Sequence, residues 1–171
     1  MNSAYAYLQV YRLFDESTPL IRDCGSLCNK ACCHGDDYGM YLFPGEKKVF
    51  DMLKPDWAKI DLSDFEYEYN NMKKKTHIIF CDGECDRYQR PLSCRIFPLT
   101  PYIDKDKKLK IIIDPRAKSL CPLTFGTKIS DFDKRFVKNV KRAFSVLSKN
   151  KEVYAFLDTY SRQLDEYLRF F

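Results

Sequence analysis

The clearest periodicity lies near the end of the chain. Residues 131–148 set Phe132, Phe136, Val140, Phe144 and Leu147 at helical spacing, and residues 152–171 repeat it with Val153, Phe156, Leu157, Tyr160, Leu164 and Leu168. Both stretches predict amphipathic helices whose apolar stripes form core. Further upstream the pattern is shorter. Residues 65–69 and 76–80 read as strands, the second delivering Cys81, while residues 96–103 and 109–113 read as a hairpin around Asp104, Lys105, Asp106, Lys107 and Lys108. Leu42 to Glu46 reads as a short extended piece turning into a helix with apolar Val49, Phe50, Met52 and Leu53, ended by Pro55. Residues 5–14 suit neither period and predict a strand or an irregular lead-in. The sum is an α+β fold in a single domain, with short strands around an irregular cysteine-rich centre and two helices closing the chain.

Composition narrows the class. A chain that is 15% aromatic has the material for a packed body. Its net charge of +5 is modest and spread out, so nucleic acid is not an expected partner, and Lys73, Lys74 and Lys75 read as a solvated turn. Residues 1–20 carry Arg12, Asp15 and Glu16 and lack the apolar core of a secretory signal. No apolar run reaches the roughly eighteen residues of a membrane span. A cytoplasmic protein is therefore expected, and a reducing compartment favours thiolate coordination over disulfides for its cysteines.

There are eight of them. Cys24, Cys28, Cys32 and Cys33 form an upstream cluster, Cys81, Cys85 and Cys94 fall among Gly83, Pro91 and Pro98, and Cys121 stands alone downstream. Thiolates are soft anionic ligands that select zinc or an iron–sulfur cluster over hard cations. On one continuous helix Cys24 and Cys32 would lie about 12 Å apart, too far to share a single ion, so the helix must break, with Gly25 and Asn29 as the permissive points, or serve more than one metal position. Adjacent side chains diverge, so Cys32 and Cys33 more easily reach two sites, or one large cluster with one of them a bystander, than one tetrahedral ion. The spacings match neither zinc knuckles nor ferredoxins.

Thiolate sites carry surplus negative charge, for which Arg22, Lys30, Arg87, Arg90, Arg95 and Lys118 are the candidate compensating cations. Tyr67, Tyr69, Phe80, Tyr88 and Phe97 are candidates to shield the metal from water. His34 reads as a neighbour of the site rather than a ligand, and His77 as an ordinary strand residue. With two histidines and no Ser, His and acid grouping, hydrolytic catalysis has no support.

The order Cys24-Gly-Ser-Leu-Cys28-Asn-Lys-Ala-Cys32-Cys33, then Leu42-Phe43-Pro44-Gly45-Glu46, Cys81, Cys85, Arg90-Pro91, Cys94-Arg95, Phe97-Pro98 and Cys121-Pro122, resembles the YkgJ-like cysteine-cluster family. The resemblance runs from Cys24 to Cys121 and implies zinc or iron chelation. A related pattern occurs in flagellin lysine N-methylases, where an iron–sulfur cluster and a methyl donor are implied; this chain is shorter and shows no glycine-rich nucleotide-binding segment. Two functions follow as expectations: a binding protein whose metal is structural or electron-carrying, or a small methyl-transferring metalloenzyme. A protein partner and the oligomeric state, including a dimer through the last helices, stay open.

Overall fold

The computed structural model describes residues 3–21, 24–33, 39–81 and 85–169. It has the expected α+β composition. Its helices are α1 (Ser3–Tyr11), α2 (Gly25–Cys28), α3 (Lys47–Leu53), α4 (Leu92–Ile96), α5 (Ala117–Leu120), α6 (Lys134–Leu147) and α7 (Lys151–Leu168). The strands β1 (Met40–Tyr41), β2 (Ala58–Tyr69) and β3 (Met72–Cys81) form an antiparallel sheet in the order β1-β3-β2, and β4 (Leu99–Ile103) pairs with β5 (Leu109–Ile113).

The β2–β3 hairpin is set by Asn70 and Asn71, both at positive φ (53° and 57°), the geometry that matches the twist of paired strands. Lys73, Lys74 and Lys75 therefore lie on β3 rather than in a turn, and their ammonium groups meet carboxylates: Lys74 Nζ stands 2.6 Å from Glu152 Oε1 of α7. The β4–β5 hairpin forms where the charged pentapeptide predicted it, with Leu99 opposite Ile113. Helices α6 and α7 begin at Asp133 and Asn150, whose side chains accept from Phe136 N and Glu152 N. Each cap satisfies an otherwise orphaned amide of a first turn. Phe132, assigned to the first of these helices from sequence, precedes it, and Leu168 is exposed.

The apolar stripes of α6 and α7 meet the sheets in an aromatic core. Phe156 stacks on Tyr160 at 5.7 Å and takes the edges or faces of Phe43, Phe65 and Tyr67 within 5.3–5.7 Å. Such contacts add about 1 kcal/mol per pair to the burial of the rings themselves. Residues 5–14 depart from expectation. They belong to α1 and a 3-10 turn over Arg12–Phe14, and the buried residues Ala4, Tyr7, Val10, Tyr11 and Phe14 trace a helical stripe. The period was hidden because Tyr5, an aromatic on the outer face, is 58% exposed. On α3 only Val49 and Phe50 are buried, whereas Met52 and Leu53 face solvent.

One polar group holds these layers in register. Glu46 is fully buried; its Oε2 accepts from Phe43 N at 2.9 Å, and its Oε1 from Leu92 N at 2.6 Å and the Tyr11 hydroxyl at 2.5 Å. Burial pushes its carboxyl above the ordinary range, while the Leu92, Tyr11 and Phe43 donors and the Arg95 charge pull it back. An amide at this position presents one accepting oxygen and a donor that opposes an N–H. Glu46→Gln is expected to lower stability by about 2–3 kcal/mol, read from urea unfolding, and an unchanged midpoint would show that the three bonds add nothing net.

Candidate metal centre

Helix α2 is a single turn. It is broken by Asn29 and Lys30, both left-handed (φ 50° and 55°), with the N–H of Lys30 returning to Gly25 O at 3.0 Å. The break thus falls at Asn29, one of the two permissive points, while Gly25 lies within the helix. Cys28 donates its thiol to Cys24 O at 3.6 Å. Cys32 and Cys33 then lie in a 3-10 turn over Ala31–Cys33, with sulfurs 4.0 Å apart.

The second group hangs on the sheet and on α4. Cys81 is the last residue of β3, paired with Ala58. Cys85 precedes Asp86, whose carboxylate accepts from Tyr88 N and starts a 3-10 turn over Arg87–Gln89. Cys94 lies within α4, which opens after Pro91 with its Leu92 amide on Glu46. Cys121 ends α5. That helix is anchored by buried Asp114, which accepts from the Arg116 amide at 2.9 Å and pairs with its guanidinium at 2.6 Å. Thr124 donates its hydroxyl to Cys121 O at 2.7 Å and closes the turn.

These segments converge. Cys24, Cys28, Cys32, Cys33, Cys94 and Cys121 line one cavity of about 70 Å³. Cys81 and Cys85 lie outside its lining, yet both are close enough to Cys94 for their charges to act on it. All eight are free thiols. Among the described residues no three His, Cys, Asp or Glu side chains stand close enough together to hold an ion as they are. The thiols are gathered into one neighbourhood, not drawn to coordination distance.

The donor set nevertheless suits zinc or an iron–sulfur cluster, being thiol-only and accompanied by N–H and O–H donors. Arg90 donates Nε–H to Cys85 Sγ at 3.1 Å. Ser17, 4% exposed, lines the cavity with a hydroxyl that has no partner among the described residues. Such a buried O–H costs stability unless something in the cavity accepts it.

The other expected cations divide. Arg87 and Lys30 line the cavity. Arg95 lines it too, but its guanidinium is spent on the fold: it donates to Arg90 O at 2.7 Å and Tyr88 O at 2.6 Å, pairs with Asp15 and lies 4.3 Å from the centre of the Tyr11 ring. Lys118 is not part of the lining, and Arg22 lies outside the described residues, as do His34 and Gly83. Of the proposed aromatic shield only Phe97 reaches the cavity. Tyr67 and Tyr69 pack into the main core and Phe80 lies against Gly39, because β2 and β3 turn those rings toward other layers, and Tyr88, in the Arg87–Gln89 turn, is exposed. His77 sits on β3 opposite Leu62, its pKa lowered by burial and the Lys47 charge.

No family model, curated protein or solved structure matches the chain. The site therefore rests on its own geometry. Sequence reasoning did not find Ser17 or Glu46. A lone serine in a loop carries no signal of burial, and a glutamate after Pro-Gly reads as an exposed helix start.

Burial pushes the Cys94 thiol up, and the neighbouring Cys85, Cys33 and Cys81 push it further. Cys32 is raised by its hydrogen bond with Cys33 and then by burial. Burial also raises Cys85, against the pull of Arg90, and Cys121. These thiols are protonated near neutrality, so metal uptake would release protons and strengthen as pH rises. In metal-free protein at pH 8, iodoacetamide should label Cys94 at least about tenfold more slowly than in the urea-unfolded chain, since one unit of pKa is a tenfold change in thiolate. Equal rates by mass spectrometry would contradict the assigned burial.

Proposed function

We propose that the protein binds zinc or an iron–sulfur cluster through some or all of Cys24, Cys28, Cys32, Cys33, Cys81, Cys85, Cys94 and Cys121, with a structural or electron-carrying role for the bound group. The observation that carries this reading is the convergence of six thiols from three separated segments on one cavity, with the other two beside Cys94. Packing alone does not require eight reduced thiols in one place. The resemblance to the YkgJ-like cysteine-cluster family points the same way. A reducing cytoplasm fits free thiols, and among the described residues no helix is long and apolar enough to cross a membrane.

The chain's own contribution is to hold the ligands and manage their charge. Arg90 offsets thiolate charge at Cys85, Phe97, Leu120 and Leu123 limit water, and the Ser17 hydroxyl is placed to donate to whatever occupies the cavity. When bound, zinc supplies a closed structural cross-link, and an iron–sulfur cluster supplies a one-electron couple. A methyl-transferring enzyme is the second reading. It is favoured by room beside the thiols and by a lining of Lys30, Arg87 and Arg90 suited to an anionic small molecule.

Protein purified without air is expected to contain zinc, or iron with matching acid-labile sulfide and a broad band near roughly 400 nm. Chelator treatment should then lower the melting midpoint by about 10 °C or more, because metal binding contributes directly to folding. Neither metal in fresh protein, with no uptake on reconstitution, would overturn the reading.

A further inference from the structure

We propose that the outward face of α6 binds the phosphate backbone of a nucleic-acid duplex. This is independent of the metal-binding reading, and it reverses the expectation drawn from the modest net charge alone.

Helix α6 carries Lys134, Arg135, Lys138, Lys141 and Arg142 and no acidic residue, so its five cations equal the net charge of the whole chain. All five are exposed. With 3.6 residues to a turn they fall within about a third of the helix circumference and along about 12 Å of its length, opposite the buried stripe of Phe136, Val140, Phe144 and Leu147. None of the five enters an ion pair among the described residues. Cations elsewhere do: Lys47 meets Asp51, Lys110 meets Asp104, and Lys107 and Arg162 share Asp158. The acids just before α6 are occupied, Asp131 by the amide of Lys128 and Asp133 by that of Phe136.

Such a face weakens the isolated fold. Lys138 has Lys134, Arg135, Lys141 and Arg142 three or four positions away, and like charges at those spacings repel on a helix surface. The buried stripe and the Asp133 cap hold the helix in spite of this, so the cations are presented on a rigid element that needs no folding to bind. What relieves the repulsion is a partner dense in negative charge.

The chemistry of the face selects among such partners. A protein interface has an apolar centre and is depleted in lysine. Stable attachment to a membrane takes an apolar or lipid anchor beside the basic patch. Of the large apolar residues on α6 only Val146, at the margin of the face, is exposed. Duplex phosphates require neither: they are met by Lys and Arg, and a single helix fits the major groove, about 12 Å wide. The face has no aromatic side chain to stack on bases, so the contacts are to the backbone and independent of sequence.

The test is fluorescence anisotropy of a labelled, mixed-sequence DNA duplex of about 20 base pairs titrated with the full chain as purified. Binding should saturate at about 50 mM salt, and log affinity should fall against log salt with a slope of about −4.5, the value for five phosphates neutralised. Lys138→Gln with Lys141→Gln should weaken binding at least about tenfold at that salt and flatten the slope by about 2. Its melting midpoint should stay level or rise, because repulsion is removed and nothing buried changes. Lys48→Gln with Lys105→Gln removes the same charge from exposed positions outside α6 and should leave affinity within about twofold. Absence of saturable binding by the parent, or equal losses in the two double variants, overturns the proposal. Tighter binding to poly-glutamate or to phosphatidylserine vesicles than to the duplex also overturns it, and assigns the face to an acidic protein or to a membrane.

Discussion

A carboxylate removed from water must be met by donors, and at Glu46 they come from three parts of the chain. Its own turn supplies the Phe43 amide, α1 supplies the Tyr11 hydroxyl, and the segment between Cys85 and Cys94 supplies the Leu92 amide. Losing any one leaves a buried charge under-compensated, which is costly in a low-dielectric interior. The start of α4, and with it Cys94, is therefore positioned by a residue that does not touch the cysteines. Arg95 works from the other side. Its guanidinium binds the carbonyls of Tyr88 and Arg90 and stacks on the same Tyr11 ring, so the Cys85–Cys94 connection is clamped to α1 by a carboxylate and a guanidinium at once.

The molecule then separates two tasks. The aromatic core between α6, α7 and the two sheets holds most of the large buried side chains, among them Phe136, Phe144 and Phe156. The cysteines lie elsewhere, on one-turn helices, 3-10 turns and a strand end. Short irregular elements cannot bury much apolar surface and contribute little stability of their own. A bound metal would supply there the cohesion that the aromatic core supplies to the rest. Among the described residues the sulfurs are gathered but not close enough together to hold an ion as they are, as expected of segments whose final spacing a bound metal would set.

Charge at the cysteines is handled unevenly. Arg90 bonds Cys85 directly, whereas at Cys94 its charge is only a minor pull against burial and the neighbouring thiols. Thiols pushed upward by burial resist ionisation, so a metal bound there would have to displace protons, which would couple occupancy to pH, and the protonated thiols are less nucleophilic. Ser17, on the lining of the cavity, adds a buried hydroxyl with no partner among the described residues.

The sequence by itself determined the elements whose signal is local. The helical stripes of 131–148 and 152–171, the charged turn between β4 and β5 and the run into Cys81 were readable because periodicity and turn chemistry act over a few residues, and Asn29 was one of two points at which a break was open. It also determined the inventory of eight thiols, though not their grouping. Only the tertiary structure decided that residues 5–14 are helical, since there the outward Tyr5 is indistinguishable by hydropathy from the inward Tyr7 and Tyr11. It alone decided that Glu46 is buried, that Arg95 serves the fold while Arg90 meets a sulfur, and that Phe97 rather than Tyr67 or Tyr88 lines the thiol cavity. The Glu46 bonds to Tyr11 and Leu92 and the Arg95 bond to Tyr11 join residues 35 or more positions apart, and the shorter Arg90 and Arg95 contacts depend on which way a long side chain turns, so neither leaves a trace in local spacing.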